Sequence, residues 1–285
     1  MQYEKSNLNH IFLESLTQIP SPVSELWQIG RLPNQTKAVS IVGARRSTPY
    51  GENIAYKLAY ELAKRGVVVV SGLAYGIDAC AHRGCLDAGG TTVAVLGTSI
   101  DKIYPQQNLG LAKRIIEHGA IVSEYPPGTE TKNWHFLERN RIVSGLSNAL
   151  IVVEAATRSG THQTANDALE QNKVVYAVPG DIFRPSSVGC NKLIYDGAHP
   201  ITSIDDFLLD YLGASSQKEF RYDLVISDMA DSAKQIVAAL KDGLTTADEI
   251  MSKYHIDIAE LNRQTVLLQL RGIIQPCGPS SWILK

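Results

Sequence analysis

The sequence has no long hydrophobic run, no paired-cysteine motif and no excess of positive charge. Across 285 residues, no apolar stretch approaches the ~18 residues a membrane span requires. The longest, around 67–70, has the length of a strand. The first ten residues are polar and lack the apolar core of a secretory signal. A cytoplasmic location with no membrane partner is therefore expected. There are 4 cysteines, Cys80, Cys85, Cys190 and Cys277, and none belongs to a C-x-x-C pair. That argues against a metal site and for reduced thiols. Lys plus Arg total 27 against 29 Asp plus Glu, a net charge of -2. A uniformly basic nucleic-acid binder is excluded, whereas a local basic cleft is not, because the sum averages over faces. The G-x-G-x-x-G fingerprint is absent, as is a Gly-rich phosphate loop ending in Lys-Ser/Thr. No cofactor is expected.

What is present is an ordinary globular composition, 44% apolar and 20% charged. Short runs rich in Val and Ile recur at 38–42, 67–70, 92–96, 120–123, 149–153 and 174–178. They show little polar alternation, as strands buried on both faces do in a parallel sheet. Helical patterns lie between them: Ile54, Leu58 and Leu62 mark one face before Gly66, and Leu111, Ile115 and Ile116 another before Gly119. The alternation predicts an α/β fold, a doubly wound parallel-sheet domain over about 38–212. Residues 1–37 read as an N-terminal extension, broken by Pro20 and Pro22, with a short helix over 24–29. Residues 213–222 read as a linker. Over 223–285, three helical patterns and two short strand candidates have the order of a small winged-helix domain.

Candidate functional residues follow the strands. After the first come Gly43, Ala44, Arg45 and Arg46, with a helix start near Glu52. Backbone N–H groups there can face an anion, and the arginine fork suits phosphate oxygens; two solvated surface arginines are the competing reading. After the second, Asp78 and His82 are four apart and share a helical face. They read as an acid–base pair or, preferably, as a helix-start carboxylate holding a histidine, since no nucleophile motif accompanies them. From Tyr125 to Ser147, Lys132, Trp134, Phe136, Arg139, Asn140 and Arg141 interleave cations with aromatics. A loop of that composition suits single-stranded nucleic acid, with cations tracking phosphates and rings stacking on bases. The alternative puts Trp134 and Phe136 in the core and pairs the arginines with Glu130 and Glu138. Ser159, Gly160 and Thr161 open a later helix as a potential anion nest, and Gly189, Asn191 and Lys192 lie in a polar turn.

Taken together, Gly43-Ala44-Arg45 with Tyr50-Gly51, the run Ser71 to Asp78 with Ala81-His82, Arg139-Asn140-Arg141 through Ser147, Glu154-Ala155, Ser159-Gly160, Ala177 to Gly180 and Gly189 to Ile194 resemble the DprA/Smf family of DNA-processing proteins. The resemblance runs in order through about 38–210. It implies an extended Rossmann-like domain that binds and protects single-stranded DNA, forms a homodimer and loads the RecA recombinase during natural transformation, without catalysis. It also implies a winged-helix tail, with duplex DNA as a conceivable partner of that tail. Carried over by position, it marks Arg45, Lys132 and Phe136 as DNA contacts and sets Gly189, Asn191 and Lys192 in the same basic pocket. Thr161-His162-Gln163 departs from the small or apolar stretch usual in the family.

Two other readings compete. A nucleotide phosphoribohydrolase of related fold would need Gly-rich runs that this chain lacks beside Pro179-Gly180. A regulator acting through the tail alone would need a basic reading helix. Yet Arg263 is the one mid-helix cation over 258–270, and over 232–285 six Lys/Arg face five Asp/Glu.

Overall fold

In a computed structural model the described residues are 2–157, 159–213 and 229–284. They form two compact units, Met1–Phe207 and Leu208–Lys285. The linker expected over 213–222 lies, apart from Gly213, outside the described residues.

The six apolar runs are the central strands of the first unit: β3 (Ala38–Val42), β4 (Val68–Ser71), β5 (Thr92–Leu96), β6 (Ala120–Ser123), β7 (Ala149–Val152) and β8 (Val174–Ala177). All pair in parallel, in the order β6-β5-β4-β3-β7-β8. Their missing polar alternation has a direct cause. Val93 and Val95 enter one apolar cluster, whereas Ala94 and Leu96 enter another. Successive side chains point to opposite faces of a strand, and here both faces are covered. The connecting helices are α1 (Pro49–Lys64), α2 (Ile77–Asp87), α3 (Leu109–His118), α4 (His135–Glu138), α5 (Asn140–Gly145), α6 (Gly160–Glu170) and α7 (Val188–Tyr195). This is the Rossmann-like arrangement expected.

The edges differ from expectation. Trp27–Gly30 is a strand, β2, where a short helix was expected. It runs antiparallel to β6 in four-residue register, from Trp27 opposite Ser123 to Gly30 opposite Ala120. The open hydrogen-bonding edge of β6 outweighs the local preference of this stretch. β1 (Glu4–Lys5) adds outside β2, and β9 (His199–Pro200) extends the opposite edge beside β8. Residues 1–37 are therefore built into the first unit. Leu13, Leu16 and Leu26 are fully buried in the cluster shared with Ile142, Val143 and Leu193. α8 (Ile204–Leu212) follows β9.

The second unit contains α9 (Asp231–Lys241), α10 (Ala247–Tyr254), α11 (Ile258–Leu270) and the antiparallel hairpin β10 (Ile274–Gly278) and β11 (Ser281–Leu284). Its own core includes Ile236, Val237, Ile250, Leu261, Leu268 and Trp282. Thr246 and Glu249 close a capping box on α10, and Asp257 caps α11. His255 turns between them in the left-handed region, at φ 54. Three helices followed by a hairpin is the element order expected for this tail. Among the described residues, no helix is long and apolar enough to cross a membrane.

The N-terminal leucines make a testable contribution. Leu16 is 0% exposed, so Leu16→Ala removes transfer energy and leaves a cavity, an expected loss of about 2–5 kcal/mol. Urea unfolding of the two proteins measures it; a loss under about 0.5 kcal/mol would mean that residues 1–37 do not belong to the core.

Candidate nucleic-acid interface

β3 and β7 are neighbours, but the chain continues from β3 toward β4 and from β7 toward β8, on opposite sides. At such a switch point the connections diverge beyond the carboxyl ends of the strands and leave a crevice. A cleft of about 700 Å³ lies there. Its walls bring together Gly43, Arg45 and Arg46 from the end of β3, Phe136, Arg139 and Asn140 from α4 and α5, and Ser159 and Gly160 from the start of α6.

The arginine turn is fixed from below. Glu154 is buried, and its carboxylate accepts hydrogen bonds from Thr48 N (2.9 Å) and Thr48 Oγ1 (2.5 Å). The Thr48 hydroxyl oxygen in turn accepts from Gly51 N at 3.2 Å and caps α1. The helix start expected to face an external anion thus already faces an internal carboxylate. Gly76, at φ 71, closes the turn from the side: a Cβ there would lie 2.4 Å from Ala44 O. Held in this way, Arg45 and Arg46 are exposed, and among the described residues neither forms an ion pair. The Arg45 guanidinium lies 5.5 Å from the centre of the half-buried Phe136 ring, which also meets Tyr104 at 5.5 Å.

The floor of the cleft is a buried polar network. Arg139 donates to Gly72 O (2.9 Å) and Val95 O, joining the ends of β4 and β5, and its Nε donates to Asn140 Oδ1. Gly72 admits the guanidinium, since a Cβ would stand 2.6 Å from Nη2. Burial lowers the Arg139 pKa to about 10, which leaves it a cation at neutral pH. Asp78 accepts from Gly72 N and Ala74 N, and burial pushes its carboxyl up against the pull of Arg139. His82 Nδ1 meets Thr92 Oγ1 at 2.7 Å, and burial drives its pKa down to about 3. Asp78 and His82 thus serve separate backbone and hydroxyl partners, and they do not form an acid–base pair.

Other expected residues lie elsewhere. Arg139 is 5% exposed and committed to carbonyls, so it supplies charge beneath the cleft rather than a free fork. Arg141 is paired with Glu124 at 2.7 Å and is not among the residues that line the cleft. Asn191 makes a two-way clasp on Gly180, accepting from its N–H and donating to its carbonyl, while Lys192 pairs with Asp196. Neither lines the cleft with Arg45, so the common basic pocket implied for this turn is not formed with it. Lys132 is exposed beside the lining residue Asn133. Trp134 is 52% exposed, which rules out a core position. The segment expected as a loop folds at its end into α4 and α5. His162 Nε2 lies 3.1 Å from Ala156 O, so the Thr161-His162-Gln163 departure ties the start of α6 to the turn after β7. Tyr104 and Ser186 also line the cleft; Ser186 belongs to the polar, Gly-containing turn expected to face a ligand, whereas no local signal marks Tyr104. Among the described residues, no group of three His, Cys, Asp or Glu is placed to hold a metal.

The buried histidine gives a pH dependence. An unfolded chain binds a proton at His82 below about 6.5, whereas the fold refuses it until about 3. Stability should therefore fall as pH drops through that window, by up to about 1.4 kcal/mol per pH unit from this residue. Asp78, raised by burial, acts in the opposite sense. Comparing wild type with His82→Asn in urea from pH 7 to 4 isolates the term. The wild type should lose stability more steeply, and parallel curves would show that the histidine is not held neutral.

Comparison with known proteins bears on this geometry. The sequence profile of the DNA recombination-mediator protein A family matches residues 7–212. A putative DNA processing protein DprA from Mycobacterium tuberculosis is 38% identical over 263 residues, covering 90% of this chain and 67% of its own. The DNA processing protein DprA of Bacillus subtilis is 40% identical over 212 residues, covering 72% and 71%. Among solved structures, DNA processing protein A from Helicobacter pylori, studied for its single-stranded DNA binding mode, aligns with TM-score 0.68 and 31% identity over 74% of this chain and 96% of that one. The corresponding protein of Streptococcus pneumoniae aligns with TM-score 0.66 and 35% identity, covering 73% and 74%.

Proposed function

The chain belongs to the DNA recombination-mediator protein A family, and on that premise we propose that it binds single-stranded DNA in the cleft between the ends of β3 and β7. The observation that carries the reading is Arg45 and Arg46, exposed and without ion-pair partners among the described residues, with Arg45 set against the Phe136 ring. Two guanidinium groups can follow phosphates while the ring accepts a base, a combination that an intact duplex cannot use because its bases are stacked inside. Arg139 adds an embedded cation beneath them. The Helicobacter pylori relative's single-stranded DNA binding supports the same partner.

The role is binding rather than catalysis. Asp78 is engaged by two backbone N–H groups, and Glu154 by Thr48. Neither carboxylate is poised against a nucleophile. Within this proposal the protein works in the cytoplasm as a homodimer, protects incoming strands and delivers them to the RecA recombinase in natural transformation, as the family resemblance implies.

Titration of a labelled oligothymidylate across a salt series tests the cleft. Arg45→Ala and Arg46→Ala should each lower the salt slope by about 0.7 for every phosphate that the arginine engages. Phe136→Ala should weaken binding by about 1–3 kcal/mol with the slope nearly unchanged. Arg141→Ala and Lys192→Ala should leave the slope alone. The opposite pattern, with the last two dominant and Arg45 and Arg46 silent, would place the strand elsewhere.

A further inference from the structure

The loop after β8 holds its apolar residues out in water. Residues 181–185 are all exposed, and at the tip Ile182 is 73% and Phe183 88% exposed. A lone exposed apolar side chain is ordinary. Two in succession on a loop built to present them call for a partner. The loop closes on itself at its base, where a Cβ on Gly180 would lie 2.3 Å from Ser187 Oγ. Asn191 clamps the same point through its two hydrogen bonds to Gly180. Within the loop, the Asp181 carboxylate accepts from Phe183 N at 2.9 Å, Asp181 O from Arg184 N and Arg184 O from Ser187 N. Compact loops with adjoining ends frequently carry function.

The two ends of the loop are tied to opposite sides of the switch point. Before it, Pro179 O accepts from the hydroxyl of Tyr50, in the first turn of α1, at 3.2 Å. After it, Ser186 O accepts from the N–H of Ala155, in the turn beyond β7, at 2.9 Å, and Ala155 O accepts from Gly189 N at 2.8 Å. Ser186 itself lines the cleft. Phe183 is three residues away, about 11 Å of chain at full extension. The loop therefore stands at the rim of the cleft, continuous with its lining.

Its chemistry repeats that of the cleft. Among the described residues, Phe183 makes no ring contact. Beside it, the exposed Arg184 has its Nε 3.8 Å from the exposed Asp181 carboxylate. So open a pair holds little energy in water, which leaves the guanidinium available to a phosphate. An exposed ring next to a cation suits a strand whose bases are unpaired. We propose that Ile182–Arg184 is a second stacking arm, on which a single strand leaving the cleft lays a further base against Phe183. This inference rests on the single-strand reading of the cleft and extends its footprint past the Ser186 rim.

Anisotropy titration of the full chain with labelled oligothymidylates of two lengths separates the arm from the cleft. An oligomer of about 4 nucleotides fills the cleft alone, whereas one of about 16 reaches the arm as well. Phe136→Ala should weaken binding at both lengths. Phe183→Ala should weaken the long oligomer about tenfold and leave the short one unchanged. Phe183→Leu, which keeps apolar bulk but no ring, should do the same, and Phe183→Trp should bind the long oligomer at least as tightly as wild type. All three should melt with the wild type, because this side chain lies outside the core. Long-oligomer binding unchanged in Phe183→Ala or Phe183→Leu, beside a loss in Phe136→Ala, would overturn the arm alone. An equal loss at both lengths would also overturn it, as would a loss that accompanies altered sedimentation, which would make the loop a contact between copies. Silence of Arg45→Ala and Phe136→Ala at both lengths would instead sink the cleft reading, and the arm with it.

Discussion

The site depends on the hydrogen bonds between Glu154 and Thr48 across the switch point of the sheet. β3 and β7 are hydrogen-bonded neighbours from Val39 with Ala149 to Val42 with Val152, and then their connections part. Without a tie, the turn after β3 would be an unsupported surface loop. Glu154, two residues beyond β7, reaches back to the Thr48 N–H and hydroxyl, and Thr48 caps α1. One buried carboxylate therefore closes the crevice at its base, starts the helix and presents Arg45 and Arg46 outward. Leaving a buried donor without its partner costs about 1–3 kcal/mol.

A second tie works from the opposite wall. Arg139 joins the ends of β4 and β5 through their carbonyls, and Asp78 takes the Gly72 and Ala74 N–H groups of the same turn. The two charges balance one another through backbone rather than by direct contact, and among the described residues no ion pair joins them. The Arg-Asn-Arg run is thereby divided by function. Its first member is structural, its asparagine lines the cleft, and its second arginine is neutralised by Glu124.

Much of this was legible in the sequence. The Val- and Ile-rich runs located all six central strands to within a residue at each end, because strands buried on both faces carry a strong continuous signal. The antiparallel edge was not legible. β2 is made of Trp27-Gln28-Ile29-Gly30, whose strand state is set by the free edge of β6 and not by its own pattern. At the site, clustering after strand ends pointed to Arg45, Arg46, Phe136, Asn140, Ser159 and Gly160, which do share one cleft. It could not separate them from Arg141, Asn191 and Lys192. The difference lies in partners distant in sequence, such as Glu124 for Arg141 and Gly180 for Asn191. Residue type gives the capacity for a contact; tertiary pairing decides whether it is already spent.

The central claim is that a single strand lies across Phe136 and the two arginines in the switch-point cleft. Photo-cross-linking of a 5-iodouracil oligonucleotide to the full chain, followed by peptide mass spectrometry, tests it most directly. The account predicts adducts on the peptides bearing Phe136 and Tyr104, the rings that meet in the cleft wall. Adducts confined to peptides from residues 229–284 would contradict it.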